Sequence, residues 1–366
     1  MKLNLKQTLA ATVLASVLGG PSAYAEEVVN LYNWSDYIVP ELFEKFESET
    51  GIKITYDVYD SNEVLEAKLL AGNSGFDVVG PGSLFIKRQV DAGIFAELDK
   101  SKLSSFNSLD PALLTQLDES DPGNKHALPF LWGTTGLGYD VNKVREKIGD
   151  DFPENSWDLI FDPKYASKLS SCGISILDAP SEVIPTVLKY LGKDPASQSK
   201  ADYKEAKAKL DSVREYITYF HSSQYINDLA NGDICVALGW SGNVYQAALR
   251  AKEVGNGVDI AYVIPQEGTG VWFDLLAIPA DAKNKENAHK FINFMLRPDV
   301  VAEYSNATTY PNANEEAFAL VDEDLRNNPG IYPTPELKKV LFPIKGLPQK
   351  FNRIQTRVWT DVKAGR

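Results

Sequence analysis

Apolar and polar residues alternate along the chain in short blocks that predict strands followed by helices. Residues 28–32 form an apolar block typical of a buried strand, and residues 40–50 have helical spacing between Pro40 and Gly51. The pattern then repeats as strand, helix, strand and helix over residues 52–56, 63–70, 77–79 and 84–92. This alternation predicts an α/β fold with a largely parallel sheet.

A second series of the same kind begins near residue 133 and includes a long predicted helix over residues 203–220. Its strands are predicted at residues 137–139, 174–177, 234–238, 258–263 and 273–278. Beyond about residue 280 the pattern is helical and is interrupted by prolines. Two lobes of ordinary domain size fit this organisation. The expected lobes are residues 26–132 with about 258–305 for lobe 1, and about 133–257 with about 306–366 for lobe 2.

The first 25 residues have the pattern of a secretory signal peptide. Lys2 and Lys6 precede an uncharged, mostly apolar stretch over residues 9–18, and residues 23–25 form an A-x-A cleavage site. The apolar stretch is shorter than the roughly 20 residues that span a bilayer. The chain is therefore expected to be exported and to begin at residue 26 once mature.

Composition and charge narrow the classes of partner. The 366 residues are 44% hydrophobic and 24% charged, which suits a globular chain and excludes disordered, collagen-like and disulfide-dense classes. Asp and Glu number 50 against 37 Lys and Arg, which gives a formal charge of −13. The chain lacks the basic excess that neutralises a phosphate backbone, so nucleic acid is not an expected partner.

The two cysteines, Cys172 and Cys235, can form one disulfide after export to an oxidising compartment. The residues alone leave open the alternative of two buried free thiols. The three histidines, His126, His221 and His289, are scattered and share no ligand spacing with the cysteines. No metal site is therefore expected.

Polar and aromatic residues follow several of the predicted strands. In open parallel sheets, ligands bind beyond the carboxyl ends of the strands, so the residues just after each strand are the candidates for a site. The candidate segments are residues 33–37, 80–83, 178–182, 239–243, 272–274 and 310–312. Four of them carry an aromatic ring beside a carboxylate or an amide.

Rings beside carboxylates suit a ligand that is cationic at its ends and apolar between them. Aromatic faces attract cations and cover methylene groups, and carboxylates accept charge-assisted hydrogen bonds. The chemistry therefore points to an alkyl amine. Each residue also has a structural alternative, because a Trp beside a strand can pack in the core and an Asp after a strand can cap a helix.

The sequence indicates catalysis less clearly than it indicates an amine-binding site. Residues 239–243 approach a nucleophile elbow, but Asn243 stands where G-x-S-x-G requires glycine, and no histidine is near in sequence. The sequence contains no zinc-protease, P-loop or dinucleotide-binding motif. The enzyme alternative is an exported glycoside hydrolase that uses Asp36 and Asp274 as paired carboxylates. Such an enzyme keeps one carboxyl group protonated near neutral pH, whereas an amine site is expected to keep its carboxylates ionised.

Six longer motifs resemble one family, the polyamine-binding periplasmic proteins of ABC transporters. The motifs are NWSDY at residues 33–37, YDVYDSNE at 56–63, LDAP at 177–180, YFHSSQY at 219–225, DLANGD at 228–233 and NPGIYP at 328–333. The resemblance extends over nearly the whole chain after the signal peptide. It is strongest to the putrescine-binding and spermidine-binding members.

The resemblance implies a two-lobed periplasmic binding protein fold of type II. Each lobe is then a mixed, mostly parallel sheet flanked by helices, and the ligand binds in the cleft between the lobes. The resemblance also implies a periplasmic monomer without catalytic activity or cofactor, which delivers an amine to a membrane permease. It implies a disulfide between Cys172 and Cys235. The ligand contacts that it implies are Trp34, Ser35, Asp36, Tyr37, Glu182, Trp240, Asp274 and Tyr310.

Three positions depart from the family pattern. Asn243 stands where putrescine-binding members have Asp, and Trp272 stands where they have Phe. Gly82 stands where some members have a contacting Ser, although Ser83 is adjacent. Ser83, Asn243 and Trp272 are therefore added to the expected site.

The expected ligand is a small aliphatic amine such as putrescine or a related polyamine. Asp36, Asp274 and Glu182 carry three negative charges, which suit a dication better than a zwitterion. The alternative is an ω-amino acid such as 4-aminobutyrate or 5-aminovalerate, whose carboxylate can accept a hydrogen bond from the Asn243 amide.

Overall fold

The computed structural model describes residues 27–366. The predicted signal peptide and its cleavage site lie outside these residues and stay a prediction. Within the described part of the chain, no helix is both long enough and apolar enough to cross a bilayer.

Ten strands form one mixed sheet within residues 27–366. In chain order they are β1 (Val28–Trp34), β2 (Lys53–Tyr59), β3 (Val78–Val79), β4 (Ala127–Asp140), β5 (Ile174–Ile176), β6 (Tyr219–Phe220), β7 (Val236–Trp240), β8 (Ile260–Val263), β9 (Thr269–Ala277) and β10 (Leu341–Pro343). Their order across the sheet is β2-β1-β3-β9-β4-β7-β5-β6, with β10 beside β9 and β8 beside β4.

The α-helices flank this sheet. In chain order they are α1 (Pro40–Thr50), α2 (Asn62–Leu70), α3 (Ser83–Asp91), α4 (Pro111–Asp118), α5 (Val141–Ile148), α6 (Asp158–Phe161), α7 (Pro163–Leu169), α8 (Pro180–Tyr190), α9 (Lys200–Val213), α10 (Gln224–Asn231), α11 (Ser241–Val254), α12 (Lys285–Met295), α13 (Pro298–Thr308), α14 (Glu323–Arg326), α15 (Pro335–Lys338) and α16 (Gln349–Lys363). Short 3-10 helices lie at Lys100–Lys102, Phe106–Ser108, Arg214–Tyr216 and Glu315–Leu320.

The 14-residue strand β4 joins two groups of strands. Its first part, residues 127–134, pairs with β9, which continues through β3 into the parallel strands β1 and β2. Its second part, residues 135–140, pairs with β7 and β8, and β7 continues into the parallel strands β5 and β6. We call β1, β2, β3 and β9 the first strand group and β5 to β8 the second. Each group is the core of one lobe, and the predicted two-lobed α/β architecture is confirmed.

Several predicted elements lie where the hydrophobic pattern put them. The helix between Pro40 and Gly51 is α1, and Gly51 ends it in the left-handed conformation at φ 71°. Leu42, Phe43 and Phe46 are buried on one face of α1. The ring of Phe46 packs on α12, so this face attaches the helix to the first lobe.

The long helix predicted over residues 203–220 is wrong in its second half. Helix α9 ends at Val213, and after a 3-10 turn Tyr219 and Phe220 form β6 beside β5. The parallel partner supplies the backbone hydrogen bonds of these two residues. That partner lies more than 40 residues away along the chain, and local spacing carries no sign of it.

The lobe boundaries stay a prediction. The pairing of β8 with the second part of β4 places residues 260–263 in the second strand group, although the predicted lobe 1 segment starts near residue 258. Strand β9, which follows, is the one that returns the chain to the first group.

The disulfide between Cys172 and Cys235 is confirmed. The two Cα atoms are 5.5 Å apart, and the bridge spans 63 residues. It joins the segment between α7 and β5 to the residue before β7, so it links the starts of two adjacent strands of the second group. No cysteine within residues 27–366 is free.

Candidate functional site

A cleft lies between the two strand groups, where the chain leaves the ends of β1, β2, β3, β5 and β7. Strand β9 and the loop after α13 complete its wall. The lining residues are Trp34, Ser35, Asp36, Tyr37, Asp60, Asn62, Gly82, Leu84, Glu182, Trp240, Asn243, Trp272, Asp274 and Tyr310. Residues far apart in sequence thus meet at one edge of the sheet, as expected for ligand sites of open α/β sheets.

Ten of the eleven residues expected to contact a ligand lie on this wall, and Ser83 does not. Ser83 begins α3, and its Oγ accepts a hydrogen bond of 3.3 Å from the backbone N–H of Phe273. Gly82 lines the cleft instead. Contact of these residues with a ligand stays a prediction.

Four lining residues were missed from the sequence: Asp60, Asn62, Gly82 and Leu84. Asp60 and Asn62 follow β2, whose end at Tyr59 is three residues beyond the predicted end. Both lie in the YDVYDSNE motif, so a strand drawn to its true end would have identified them. Asn62 Oδ1 accepts a hydrogen bond of 2.7 Å from the Gly82 N–H, which joins two of the loops that form the wall.

Five aromatic rings form a closed circuit around the cleft. Successive ring centroids are 5.7 Å apart for Trp34 and Trp240, 6.5 Å for Trp240 and Trp272, 5.6 Å for Trp272 and Tyr310, 5.4 Å for Tyr310 and Tyr37, and 6.4 Å for Tyr37 and Trp34. The Trp34–Trp240 contact joins the ends of β1 and β7, which belong to different strand groups, and the Trp272–Tyr310 contact joins β9 to the loop after α13. Edge contacts of this kind hold rings in fixed orientations.

Glycines allow two of these rings to approach the backbone. A Cβ atom on Gly242 would lie 2.5 Å from the Tyr310 ring, and one on Gly133 would lie 2.9 Å from the Trp272 ring. A side chain at either position would displace the ring. Gly133 and Gly242 therefore allow the rings of Trp272 and Tyr310 to take their places in the cleft wall.

Asp274 is a buried carboxyl group in the wall, with 4% of its surface exposed. Its backbone forms a bridge with Gly82, and its Oδ2 accepts a hydrogen bond of 2.8 Å from the Tyr37 hydroxyl. Burial raises the pKa of Asp274 well above 3.8, and the hydrogen bond from Tyr37 opposes that rise. Strand β9 and the Tyr37 hydroxyl thus hold the carboxyl group in place on the cleft wall.

Glu182 is the second buried carboxyl group, on the first turn of α8. Its Oε2 accepts hydrogen bonds of 2.5 Å from Thr135 Oγ1 and 2.8 Å from Trp240 Nε1. Trp272 Nε1 donates in turn to Thr135 Oγ1 at 3.1 Å. Burial raises the pKa of Glu182 to about 7, despite these two donors. The network fixes two of the rings to one carboxyl group.

Asp36 is half-buried and accepts a hydrogen bond of 3.0 Å from Ser35 Oγ. Burial raises its pKa, and the positive charge of Arg250 on α11 opposes this rise. The expectation that an amine site keeps its carboxylates ionised stays a prediction. Burial raises the pKa values of Asp36, Asp274 and Glu182, and a bound ammonium ion would lower them again.

The wall carries four acidic side chains and, within residues 27–366, no Lys, Arg or His. Such a site has acceptors and aromatic faces for a cation but no group to neutralise an anion. No group of three or more His, Cys, Asp or Glu side chains in the described chain is arranged to hold a metal ion.

Comparison with known proteins gives the class. The model of the bacterial extracellular solute-binding protein family matches residues 41–333. The putrescine-binding periplasmic protein PotF of Escherichia coli K12 is 53% identical over 359 residues, which cover 98% of this chain and 97% of PotF. The putrescine-binding periplasmic protein SpuD of Pseudomonas aeruginosa UCBPP-PA14 is 50% identical over 366 residues, the full length of both.

A solved structure has the same fold. The spermidine/putrescine ABC transporter substrate-binding protein PotD of Streptococcus pneumoniae is 27% identical and superposes with a TM-score of 0.74, covering 93% of this chain and 99% of PotD. The shared fold is that of type II periplasmic binding proteins, as the motifs implied.

The chain belongs to the bacterial extracellular solute-binding protein family. It is a periplasmic solute-binding protein and not an enzyme, so the glycoside hydrolase alternative is discarded. The resemblance drawn from its motifs is confirmed. Relatives of this class serve ABC transporters, which implies a membrane permease as partner.

Proposed function

We propose that this chain captures a small aliphatic amine, putrescine or a related polyamine, and delivers it to the permease of an ABC transporter. The observation that carries the proposal is the cleft itself. Five rings and four carboxyl groups line it, and among the described lining residues none is cationic. The putrescine-binding relatives support the same ligand.

Each group then has a role in binding. Asp36 and Asp274 accept hydrogen bonds from the ammonium ends of the ligand, and Glu182 adds negative charge. The five rings cover the methylene chain and attract the cationic ends. Ser35 and Tyr37 orient the two aspartates through the hydrogen bonds described above.

Ligand binding closes the two lobes in this proposal. Trp34 and Asp36 belong to the first strand group, whereas Glu182 and Trp240 follow strands of the second. One small ligand touches both sets only when the lobes are together, so it shifts the protein toward the closed state. Each molecule contains a complete cleft, so the proposed functional unit is a monomer.

An ω-amino acid is the weaker candidate. Its carboxylate would enter a wall with four acidic side chains and no basic one among the described residues. Burying an anion without a cationic partner is costly. The unpaired N–H groups of Asn243 and Trp34 can donate to such a carboxylate, but they do not neutralise its charge.

Calorimetric titration tests the proposal with putrescine, spermidine, 5-aminovalerate and 1-butylamine. Putrescine or spermidine should bind most tightly, and 1-butylamine, which lacks the second ammonium group, should bind much more weakly. A ligand at 100 times its Kd should stabilise the protein by roughly 2.7 kcal/mol, which thermal unfolding detects. Absence of binding by both polyamines, or tighter binding of 5-aminovalerate, would overturn the proposal.

A further inference from the structure

One buried donor on the cleft wall has no acceptor in the described chain. Asn243 is 3% exposed and lines the cleft, and its Nδ2 group has no hydrogen-bond partner within residues 27–366. A buried amide N–H without an acceptor is unfavourable. A ligand that carries an acceptor at this point would remove that cost.

The Tyr310 hydroxyl determines which atom of the Asn243 side-chain amide has no hydrogen-bond partner in the described chain. The backbone N–H of Asn243 donates to the Tyr310 oxygen at 3.3 Å. The hydroxyl hydrogen of Tyr310 then donates to Asn243 Oδ1 at 2.8 Å. With the amide reversed, two N–H groups would point at the hydroxyl oxygen and the hydroxyl hydrogen would lose its acceptor. The donor end, Nδ2, is therefore the end available to a ligand.

A second donor in the same wall is also unpaired. Trp34 Nε1 is buried and has no acceptor in the part of the chain that the structure describes. The other two indoles of the circuit are engaged, since Trp240 donates to Glu182 and Trp272 donates to Thr135. The cleft thus presents two free N–H donors beside its carboxyl groups.

These two donors determine which chemical group at the end of a ligand fits this part of the cleft. An ammonium group has only donors, so a plain diamine leaves Asn243 Nδ2 unsatisfied. A carboxylate would satisfy it, but this adds an anion to a wall with four acidic side chains and no described basic one. A neutral carbonyl oxygen accepts the same hydrogen bond without adding charge.

We infer that the cleft also binds mono-N-acylated diamines, with the free ammonium group at the carboxyl groups and the acyl carbonyl accepting from Asn243 Nδ2. The inference rests on the proposed function, because it uses the same amine site. The acyl group replaces one ammonium group, and the aromatic circuit covers the alkyl chain as before. Asn243 is then the residue that broadens the ligand range from diamines to their acylated forms.

The test uses N-acetylputrescine as the probe, with putrescine and 5-aminovalerate for comparison. Titrations are made on the wild-type protein and on Asn243→Asp. The substitution keeps the size of the side chain and an oxygen to accept from Tyr310, but it replaces the free donor by an acceptor and adds a negative charge. Thermal unfolding of both proteins establishes that the variant is folded.

Wild-type protein should bind N-acetylputrescine within about tenfold of putrescine. Asn243→Asp should lower the affinity for N-acetylputrescine by about tenfold or more and should raise the affinity for putrescine, because a buried donor becomes a buried carboxylate. Two results would overturn the inference and leave the proposed function standing. In the first, wild-type protein binds putrescine but binds N-acetylputrescine more than about a hundredfold more weakly. In the second, the variant binds N-acetylputrescine with the same affinity as wild type.

The remaining outcomes are also decisive. Tighter binding of 5-aminovalerate than of N-acetylputrescine overturns the inference in favour of an anionic ligand end. Binding of N-acetylputrescine without binding of putrescine supports the inference and overturns the diamine as ligand. If neither amine binds, both the inference and the proposed function fail.

Discussion

Single carboxyl groups in the cleft combine two opposing effects. Burial of Asp274 and Glu182 raises their pKa values, whereas hydrogen bonds from Tyr37, Thr135 and Trp240 favour the ionised forms. Burial dominates in both cases. A bound ammonium group would supply the positive charge that the described wall lacks and would lower these pKa values again.

Asp274→Asn should weaken putrescine binding by about 30-fold, or about 2 kcal/mol, because a buried ammonium loses its charged acceptor and keeps its desolvation cost. Calorimetry measures the change. Tyr37→Phe is the matched control, since it removes a hydrogen bond to the same carboxyl group without changing charge. An Asp274→Asn affinity within threefold of wild type would remove this residue from the site.

The raised pKa of Glu182 predicts a pH dependence of binding. An amine binds the ionised carboxylate and stays cationic itself below about pH 10. Putrescine affinity should therefore increase as pH rises from about 6 to about 8, with proton release on binding near the lower value. Titration in two buffers of different ionisation enthalpy measures that release.

The stability of the ligand-free protein should change in the opposite direction. The folded chain holds the Glu182 proton more tightly than the unfolded chain does, with a pKa of about 7 against 4.5. The free energy of unfolding should thus fall by roughly 3 kcal/mol as the pH rises from about 4.5, the pKa in the unfolded chain, past about 7, the pKa in the folded chain. Glu182→Gln should reduce both slopes, and equal slopes in the two proteins would contradict the assignment.

Gly82 and Ser83 show that the direction of a loop side chain cannot be predicted from the local sequence. Ser83 was the more plausible ligand contact by chemistry, yet its hydroxyl is turned to the backbone of β9. A Cβ on Gly82 would lie 2.6 Å from Asn62 Nδ2, so the wall at this point is closed by Asn62. Side-chain direction at a loop depends on partners from other loops, which the local sequence does not contain.

At the level of elements, helices α2 and α8 meet across the cleft. Ser181 Oγ on α8 donates a hydrogen bond of 2.9 Å to Glu63 Oε1 on α2. Glu63 is half-buried, desolvation raises the pKa of its carboxyl group, and its Oε2 has no partner among the described residues. The contact joins the helix after β2 to the helix after β5, so it would break if the proposed closure of the lobes were reversed.

Ser181→Ala should weaken putrescine binding by about tenfold, because Glu63 loses its donor in the closed state but is hydrated when the lobes separate. Calorimetry gives the affinity, and small-angle scattering with ligand gives the radius of gyration of the complex. Ser170→Ala is the control, since its hydroxyl bonds only within its own turn at the end of α7. Equal affinities of the two variants would show that the α2–α8 contact does not stabilise closure.

Elements with local signals were predicted well, and elements that depend on distant partners were not. Helix α1 was identified from Pro40 and Gly51, which act within the helix itself. Strand β4 was predicted as a three-residue strand at 137–139, although it runs from Ala127 to Asp140. Its length comes from pairing with β9 on one side and β7 on the other, and both partners lie more than 90 residues ahead.

At the level of the whole molecule, the disulfide closes a long loop in the second lobe. Replacing both cysteines by alanine should lower the free energy of unfolding by roughly 4 kcal/mol, from the entropy of an unfolded chain without the 63-residue closure. Urea unfolding measures the change. Neither cysteine lines the cleft, so putrescine affinity should stay within threefold. Unchanged unfolding after replacement would argue against an entropic role.

The aromatic circuit has a practical consequence for measurement. Three of the protein's six tryptophans, Trp34, Trp240 and Trp272, are members of the circuit. Indole emission responds to nearby charge and to loss of water, so a cation bound as proposed would alter the ultraviolet fluorescence of half of the tryptophans at once. The proposed site thus carries its own optical reporter, with which ligand capture could be followed in unlabelled protein.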